Sequence, residues 1–318
     1  MNDCVDILLA VFNAEPYLKE QLASIYGQNH QQWSLIIRDD CSMDGSSGIL
    51  RTESAADPSR IRVLDNGGKN LGASQNFARL MAHSTSRHVM FCDQDDVWLP
   101  SKVEVTLAKM KEMEGMYGED TPILVHTDLK VVDESLHVVS ESLWKYQLSD
   151  PVGGSSLNRL LLQNVATGCT IMINRPLLDL ALPIPEKAMM HDWWLALVAA
   201  AFGRIGHIDE ATILYRQHGA NDTGAKTWNP VEAGKLYFNA NKRRELFAGH
   251  RSVTARIQSQ AETFLKRYEP MLNHRQKEVL EAYVRLPSSN YLLKRYYTAK
   301  YGFWYTGLSR NLVRLLTL

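Results

Sequence analysis

The first hundred residues alternate short apolar runs with segments of helical periodicity, and this alternation restricts the fold more than any other feature of the chain. Apolar runs that predict buried strands span residues 5–12, 33–37, 61–64 and 88–92. Helical segments lie between them at residues 16–29, from 46 to about 53, and 74–86. Strands and helices that alternate in this way predict a parallel α/β sheet with helices on both faces.

The fourth apolar run ends abruptly in an acidic Asp-x-Asp segment. Asp93, Asp95 and Asp96 follow Cys92 closely. Like charges held together raise one another's pKa unless a cation lies between them, and Mg²⁺ or Mn²⁺ prefers carboxylate oxygen. Alternation along an extended segment directs Asp93 and Asp95 to the same side. The segment therefore predicts either a divalent-metal site or a solvated acidic turn with Asp96 near the N-terminus of the next helix.

The second strand also ends in acids, Asp39 and Asp40. In a doubly wound sheet, ligands bind at the carboxyl ends of the strands, so these acids and the Asp93–Asp96 segment are expected to converge on one cleft. A carboxylate at this edge can accept a hydrogen bond from a nucleobase N–H or a ribose hydroxyl. Turn formation is the alternative role, which we favour for Asp44 but not for the pair.

The later segments keep the α/β character as far as about residue 225. A helix is predicted at 101–116, strands at 123–128, 129–132, 205–208 and 212–215, and a short helix at 156–163. Gly168 lies among small residues before a further strand that ends near Asn174. His191 and Asp192 open an apolar helix that runs through Ala201. Residues 1–225 are thus predicted to form one domain.

Residues 226–318 differ in composition and predict a basic, helical C-terminal region. From residue 241 onward there are 15 Lys and Arg but only 5 Asp and Glu, and the last part is rich in aromatic residues. Such a mixture is typical of a helix on an anionic membrane surface. The alternatives are a helical appendage that packs on the first domain and a contact in a homodimer.

Composition excludes several classes of protein. Hydrophobic residues make up 45% of the chain, yet no apolar run is long enough to span a membrane, and the N-terminal residues lack the pattern of a signal peptide. The four cysteines are scattered, which indicates free thiols in a reducing compartment. We therefore expect a cytoplasmic protein, peripheral to the inner membrane face if the C-terminal region binds lipid, and no nucleic-acid partner.

Linked motifs, in a fixed order, carry a resemblance to a known family. Taken together, and over roughly residues 4–222, the chain resembles the family 2 glycosyltransferases with the GT-A fold, a mixed and mostly parallel sheet. The segment Tyr215–Asn221 is similar to the bacterial rhamnosyltransferase branch, which builds O-antigen and related polysaccharides. Cys41 departs from the family, which usually has Gly or Asn there. The motifs are Val11–Asn13 with Tyr17–Leu18, Asp39–Ser46, Asn70–Gly72 with Asn76, Asp93–Asp96, and His191–Trp194.

The resemblance implies roles for these residues. Asp39 or Asp40 would contact the pyrimidine base, with Asp39 favoured, and Asn70 and Gly168 would line the donor site. Asp93 would face the ribose or the metal's water shell. Asp95 would ligate Mn²⁺ or Mg²⁺, with His218 as a further metal or phosphate contact; a structural role for His218 is the alternative.

Asp192 would be the general base of an inverting transfer, unless it only caps the helix that follows it. It would take the proton from the acceptor hydroxyl as that oxygen attacks the anomeric carbon from the face opposite the nucleotide.

Three other classes of protein are alternatives for a chain of this length and pattern. A nucleotidyltransferase or sugar-nucleotide phosphatase would need a Gly-rich phosphate loop where Asn13–Pro16 stands, and a dinucleotide-dependent oxidoreductase would need Gly-x-Gly-x-x-Gly after the first strand. A non-catalytic carbohydrate-binding protein would need neither Asp95 nor Asp192. The sequence is best interpreted as an inverting, metal-dependent glycosyltransferase. We expect it to move a sugar, L-rhamnose from dTDP-rhamnose or else a hexose or N-acetylhexosamine from UDP, to a lipid-linked saccharide.

Overall fold

The computed structural model describes residues 3–219, 224, 240–307, 310, 311 and 314, and of residues 240–251 the backbone alone. The chain forms two compact units. The first comprises Met1–Leu143, Ala166–Ile184 and Met190–Ala225, and the second comprises Trp144–Val165, Pro185–Met189 and Lys226–Leu318. The boundary predicted between residues 225 and 226 lies outside the described residues and stays a prediction, as does the position of Ala220 and Asn221.

A nine-stranded mixed sheet forms the core of the described part of the first unit, in the order β3-β2-β1-β4-β8-β6-β9-β5, with β7 paired to β6. Strands β3, β2, β1 and β4 are parallel, as are β6 and β9, whereas β8 runs antiparallel to both of its neighbours. The longest pairings are parallel, which confirms the predicted α/β fold with a mostly parallel sheet. The strands are β1 (Val5–Val11), β2 (Trp33–Asp39), β3 (Ile61–Val63), β4 (His88–Cys92), β5 (Val97–Trp98), β6 (Ile123–Val132), β7 (Val138–Ser140), β8 (Ile171–Asn174) and β9 (Arg204–Arg216).

The helices of the first unit form where apolar residues recur at helical spacing. In α1, Leu18, Leu22 and Ile25 are buried together with Gln21, while Lys19, Glu20 and Ala23 are exposed. Helix α8 is buried on almost every side, which explains its apolar sequence. Over both units and in chain order, the described α-helices are α1 (Leu18–Tyr26), α2 (Ser46–Ala56), α3 (Ala73–Met81), α4 (Lys102–Tyr117), α5 (Leu143–Gln147), α6 (Leu157–Leu160), α7 (Arg175–Ala181), α8 (His191–Phe202), α9 (Ala240–Tyr268), α10 (His274–Arg285) and α11 (Tyr291–Tyr301).

Two predicted breaks fall inside continuous strands. Residues 123–132 form the single strand β6, because the Asp128 carboxylate is satisfied locally by the backbone N–H groups of Leu129 (2.8 Å) and Leu143 (3.0 Å). The runs 205–208 and 212–215 are the two halves of β9. Asp209 and Glu210 fall where its register against β6 shifts, so they bulge from the strand without ending it.

The second unit contains the predicted helices of the C-terminal region, as far as it is described. Helix α10 starts with a reciprocal capping box between Asn273 and Gln276, and α11 starts at an Asn290 side chain that accepts from Leu293 N. Among the described residues, no helix combines the length and the apolar character that crossing a bilayer would require.

Candidate functional site

The carboxyl ends of three adjacent parallel strands place the predicted acids along one edge of the sheet. Strand β1 lies between β2 and β4, with Val11 opposite Asp39 and Leu9 opposite Cys92. Asp39 and Asp93 therefore emerge on either side of β1 at the same edge. This is the convergence that the order of strands and helices predicted.

The Asp93–Asp96 segment is a tight and largely buried turn. Asp95 is 9% exposed and Asp96 is fully buried. Asp96 Oδ1 accepts a hydrogen bond from Arg216 N at 3.1 Å, whereas Oδ2 has no hydrogen-bond partner among the described residues. Burial, and then repulsion from Asp95 and Asp93, raise the pKa of Asp96 well above its usual value. Asp96 is thus an enclosed part of the acidic site, and the solvated helix-capping role considered for it does not apply.

The end of β9 lies against this turn. His218 Nε2 lies 2.8 Å from Asp95 Oδ2, which brings together two residues predicted to hold a metal. Tyr17 stacks on His218 with ring centroids 4.6 Å apart. Arg216 donates from Nε to the Asp95 carbonyl at 2.9 Å and pairs with the Glu20 carboxylate. The predicted ligands Asp95 and His218 are therefore held by a network that reaches helix α1.

The sequence did not identify Arg216 as a site residue, because nothing in the sequence shows which groups its side chain contacts. It belongs to the Tyr215–Asn221 motif, and the only available signal was an arginine at the end of a strand, close to His218. The structure gives this side chain a positioning role: it holds both the backbone of the acidic turn and helix α1.

A second set of ligand atoms surrounds Asp93. Asp93, Asp96 and Cys169 each offer an oxygen or sulfur atom, and these atoms lie within 4.8 Å of one another. Within the part of the chain that the structure describes, these three side chains are the one group of at least three His, Cys, Asp or Glu residues close enough to hold a metal ion together. The group includes Asp93 but neither Asp95 nor His218. Cys169, which follows the predicted donor-site residue Gly168, thus lies beside the acids.

The donor chemistry fits a divalent cation. Three carboxylates and an imidazole suit Mn²⁺ or Mg²⁺, the carboxylates above all. The enclosed Asp96 Oδ2 is also an unsatisfied acceptor of the kind that a bound cation or its water would satisfy. The carboxylates are those of Asp93, Asp95 and Asp96, and the imidazole is that of His218.

Asp39 and Asp40 have different surroundings. Asp39 accepts from the Ser42 backbone N–H at 3.1 Å and from the hydroxyls of Ser42 and Ser47. Asp40 forms a buried ion pair with Arg38 and accepts from the backbone N–H groups of Leu71 and Gly72, each at 2.8 Å. Asp40 is 2% exposed and Asp39 is 6% exposed, so both carboxylates are buried, but among the described residues only that of Asp40 is paired with a cation.

The Arg38–Asp40 pair fixes the loop that contains Asn70. Arg38 donates to the carbonyls of Asn66 (3.1 Å) and Lys69 (2.8 Å), and it is 2% exposed. Asn70 donates from its side chain to the Asp40 carbonyl at 2.9 Å. The loop predicted to border the donor is therefore tied at both ends to the end of β2.

Asp192 and Gly168 lie together. A Cβ atom on Gly168 would be 3.5 Å from Asp192 Oδ2 and 3.3 Å from His191 Nε2, so the backbone at 168 closely approaches the carboxylate. Asp192 is half-buried in the first turn of α8. Burial raises its pKa to about 7, although hydrogen bonds from the Trp193 and Gly168 N–H groups oppose the shift. A carboxyl with this pKa can accept a proton near neutral pH.

His191, next to the candidate base Asp192, packs among aromatic side chains. It is 2% exposed, and both ring nitrogens lack hydrogen-bond partners among the described residues. Its ring lies 4.1 Å from Phe77 and 5.1 Å from Phe91. Burial lowers the pKa of His191 to about 3, so this imidazole is neutral and supports the packing at Asp192.

The turn at Gly168–Thr170 connects the two groups of candidate residues. Gly168 approaches Asp192, and the next residue, Cys169, lies within the Asp93–Asp96 cluster. One turn of the backbone thus touches both the candidate base and the candidate metal ligands. The residues at the sheet edge, at β9 and at α8 accordingly belong to a single site within the first unit.

A mostly parallel sheet with acids at its carboxyl edge is the architecture of a ligand-binding α/β protein, and comparisons with known proteins define the class of enzyme. Residues 6–118 match the family model described as "Glycosyl transferase family 2". The chain is a glycosyltransferase, and its similarity to family 2 lies in residues 6–118.

Sequence relatives lie among bacterial glycosyltransferases. The chain is 29% identical over 215 residues to TuaG of Bacillus subtilis, assigned to teichuronic acid biosynthesis; the match covers 67% of this chain and 78% of the relative. It is 27% identical over 245 residues to the dTDP-rhamnosyl transferase RfbG of Shigella flexneri, with coverage of 74% and 80%.

Solved structures share the fold at low sequence identity. TarS residues 1–349 from S. aureus, in complex with UDP-GlcNAc, align with a TM-score of 0.55 at 15% identity, covering 93% of this chain and 88% of that one. The mannosyltransferase PcManGT of Pyrobaculum calidifontis, in complex with GDP-Man and Mn²⁺, aligns with a TM-score of 0.53 at 15% identity, covering 98% and 79%. These alignments confirm the predicted GT-A fold.

Proposed function

We propose that this protein is an inverting, metal-dependent glycosyltransferase of cell-surface polysaccharide synthesis that takes its sugar from a nucleotide-sugar donor. The observation that carries the proposal is the turn at Gly168–Thr170, which touches both Asp192 and the acidic cluster. Transfer needs a proton acceptor and a stabilised diphosphate on either side of one anomeric carbon, and this turn joins the residues suited to the two tasks.

Asp192 is the proposed general base. Its carboxylate takes the proton from the acceptor hydroxyl while that oxygen forms a bond to the anomeric carbon. The bond from that carbon to the phosphate oxygen breaks on the opposite face, and its electron pair leaves with the nucleoside diphosphate. The configuration at the carbon is inverted. A pKa of about 7 leaves Asp192 substantially ionised at neutral pH, so it can accept this proton.

The acidic turn is the proposed diphosphate end of the site. Asp95 and Asp93 would hold Mn²⁺ or Mg²⁺, with His218 supporting Asp95 from 2.8 Å. The cation, when bound, would stabilise the negative charge that develops on the leaving diphosphate. Asp39 is proposed to bind the base, since Asp40 is engaged by Arg38 and the loop of residues 66–72; Asn70 and Gly168 are proposed to line the donor site.

The proposed donor is dTDP-L-rhamnose, supported by the similarity to RfbG and by the Tyr215–Asn221 motif. The proposed acceptor is a lipid-linked saccharide at the inner face of the cytoplasmic membrane. The fold shared with TarS, which was solved with UDP-GlcNAc, supports a second candidate, transfer of a hexose or N-acetylhexosamine from UDP.

Calorimetric titration with dTDP, UDP and GDP tests the proposal, first with Mn²⁺ or Mg²⁺ and then with EDTA. Metal-dependent preference for dTDP supports rhamnosyl transfer, and preference for UDP favours the second candidate. The absence of binding by every nucleotide to folded protein would overturn both. The matched variants are Asp95→Asn, expected to lose metal-dependent binding, and Asp192→Asn, expected to bind nucleotide normally but to lose transfer.

A further inference from the structure

Helix α11 in the second unit exposes an apolar face. Leu292 is 76% exposed, Tyr291 and Tyr296 are each 54% exposed, and Leu293 is 36% exposed. At 3.6 residues per turn, Leu292, Leu293 and Tyr296 fall on one side of the helix. Single exposed apolar residues are ordinary, but a continuous group of large ones on one helix marks an interaction surface.

The polar residues of α11 are distributed in the reverse of the usual pattern. Thr298 is buried and Lys294 is half-buried, although both are more polar than the exposed leucines. Arg295 and Lys300 stand four residues after Tyr291 and Tyr296, which places each cation beside a tyrosine. The Arg295 guanidinium lies 4.2 Å from the Tyr291 ring centroid, and Lys300 Nζ lies 5.6 Å from that of Tyr296. Large apolar side chains and cations are thus interspersed on this part of α11.

The surrounding sequence has the same sign of charge. After Glu281 the chain contains no acidic residue, whereas six basic residues follow. A second copy of this chain, packed face to face on α11, would bring Arg295 and Lys300 of the two copies together at a cost in repulsion. An anionic lipid surface accepts both features, since acyl chains cover the leucines, phenol groups suit the interface, and lipid phosphates meet the neighbouring cations.

We propose that Tyr291, Leu292, Leu293 and Tyr296 form a docking face for an anionic phospholipid membrane, with Arg295 and Lys300 at the headgroups. The helix lies on the membrane and does not cross it. The inference rests on the proposed function only in that a lipid-linked acceptor would be met at such a surface. The docking face itself needs no particular donor, metal or base.

Co-sedimentation of the full chain with vesicles tests the docking face. Wild type should bind vesicles made of equal parts phosphatidylglycerol and phosphatidylcholine more tightly than vesicles of phosphatidylcholine alone, and added salt should weaken the binding. The double variant Leu292→Ser/Tyr296→Ser should lose about tenfold or more in binding, because even partial burial of the two side chains together is worth at least that factor. The matched control is Met116→Ser/Val139→Ser, at side chains 64% and 55% exposed in the first unit, which should bind like wild type.

Nucleotide titration separates this proposal from the proposed function, since both double variants should bind nucleotide like wild type. Equal vesicle binding by wild type and the Leu292→Ser/Tyr296→Ser variant would overturn the docking face. Equal wild-type binding to both kinds of vesicle would also overturn it. If the variant instead changed a dimer into a monomer and kept its vesicle binding, the face would be a dimer contact and the proposal would be wrong.

Discussion

The role of each residue in the site depends more on its neighbours than on its residue type. Asp39 and Asp40 are adjacent and chemically identical, yet Asp40 is neutralised by Arg38 while Asp39 is bonded to serine hydroxyls. The sequence could place both acids at the sheet edge, because a strand ends there. It could not assign their partners, since Leu71 and Gly72 approach Asp40 from a loop thirty residues away.

Asp192 should give the transfer reaction an acidic limb near neutral pH. Its pKa is raised to about 7, so the carboxylate form needed by a base is lost as pH falls through that value. The rate of transfer should decrease about tenfold per pH unit below 7 and level off above it. Steady-state rates between pH 5.5 and 8.5 check this, and a level profile across the range would contradict the assignment of Asp192.

Cys41 has a left-handed backbone, with φ of 68°. This conformation explains why the family usually has Gly or Asn here, and it costs a residue with a Cβ about 1–2 kcal/mol. Cys41→Gly should therefore raise the free energy of unfolding by about 0.5–1 kcal/mol, after subtraction of the greater freedom of glycine in the unfolded chain. Urea unfolding measures this change. Cys41→Val, which is β-branched, should lower stability; stabilisation by valine would show that strain at this position is not the cause.

At the scale of elements, the sequence predicted the presence of the main strands better than their continuity. Asp128, Asp209 and Glu210 suggested breaks because acids are unusual in strands. In the structure the first is satisfied by backbone N–H groups and the other two occupy a bulge. Helix α3 ends at Met81, earlier than the predicted residue 86, and α7 was missed, although Asn174 and Pro176 mark its start.

The loop of residues 66–72 should depend on Arg38 for its order. A guanidinium group can hold Asp40 and two loop carbonyls at once, whereas the lysine ammonium cannot reproduce that planar fork. Arg38→Lys should increase the rate of tryptic cleavage after Lys69 by about tenfold, through local opening of the loop. Mass spectrometry of the fragments would measure it. The control Arg79→Lys, an equivalent change on α3, should leave the cleavage rate unchanged. An unchanged cleavage rate in Arg38→Lys would show that other contacts hold the loop.

For the whole molecule, the sequence was informative wherever parallel strands bring their ends together, and less so elsewhere. Asp39 and Asp93 could be grouped because β2, β1 and β4 follow the predicted rhythm. Cys169 and Arg216 could not be grouped with them, because the chain inserts the antiparallel β8 beside β4 and returns through β9. Such long-range order depends on packing among segments more than seventy residues apart.

Metal binding should raise the thermal stability of the folded protein. A ligand at 100 times its Kd adds about 2.7 kcal/mol, and each kcal/mol moves the Tm of a large domain by roughly 2–4 °C. Mn²⁺ should therefore raise Tm by several degrees, and EDTA should reverse the effect. Asp95→Asn should remove most of the increase in a scanning-fluorimetry experiment. The control Asp209→Asn, at a side chain 81% exposed, should retain it; an equal increase in both variants would place the metal elsewhere.

The position of β1 between β2 and β4 also sets a length. Neighbouring strands lie about 4.8 Å apart, so Asp39 and Asp93, which follow strands on either side of β1, are separated by about two such spacings. With Asp39 at the base and Asp93 towards the phosphates, as proposed, the strand spacing sets how far apart the two ends of the donor are held. A nucleotide would then be expected to engage both acids, whereas a free sugar phosphate, which lacks the base, would engage only the Asp93 end.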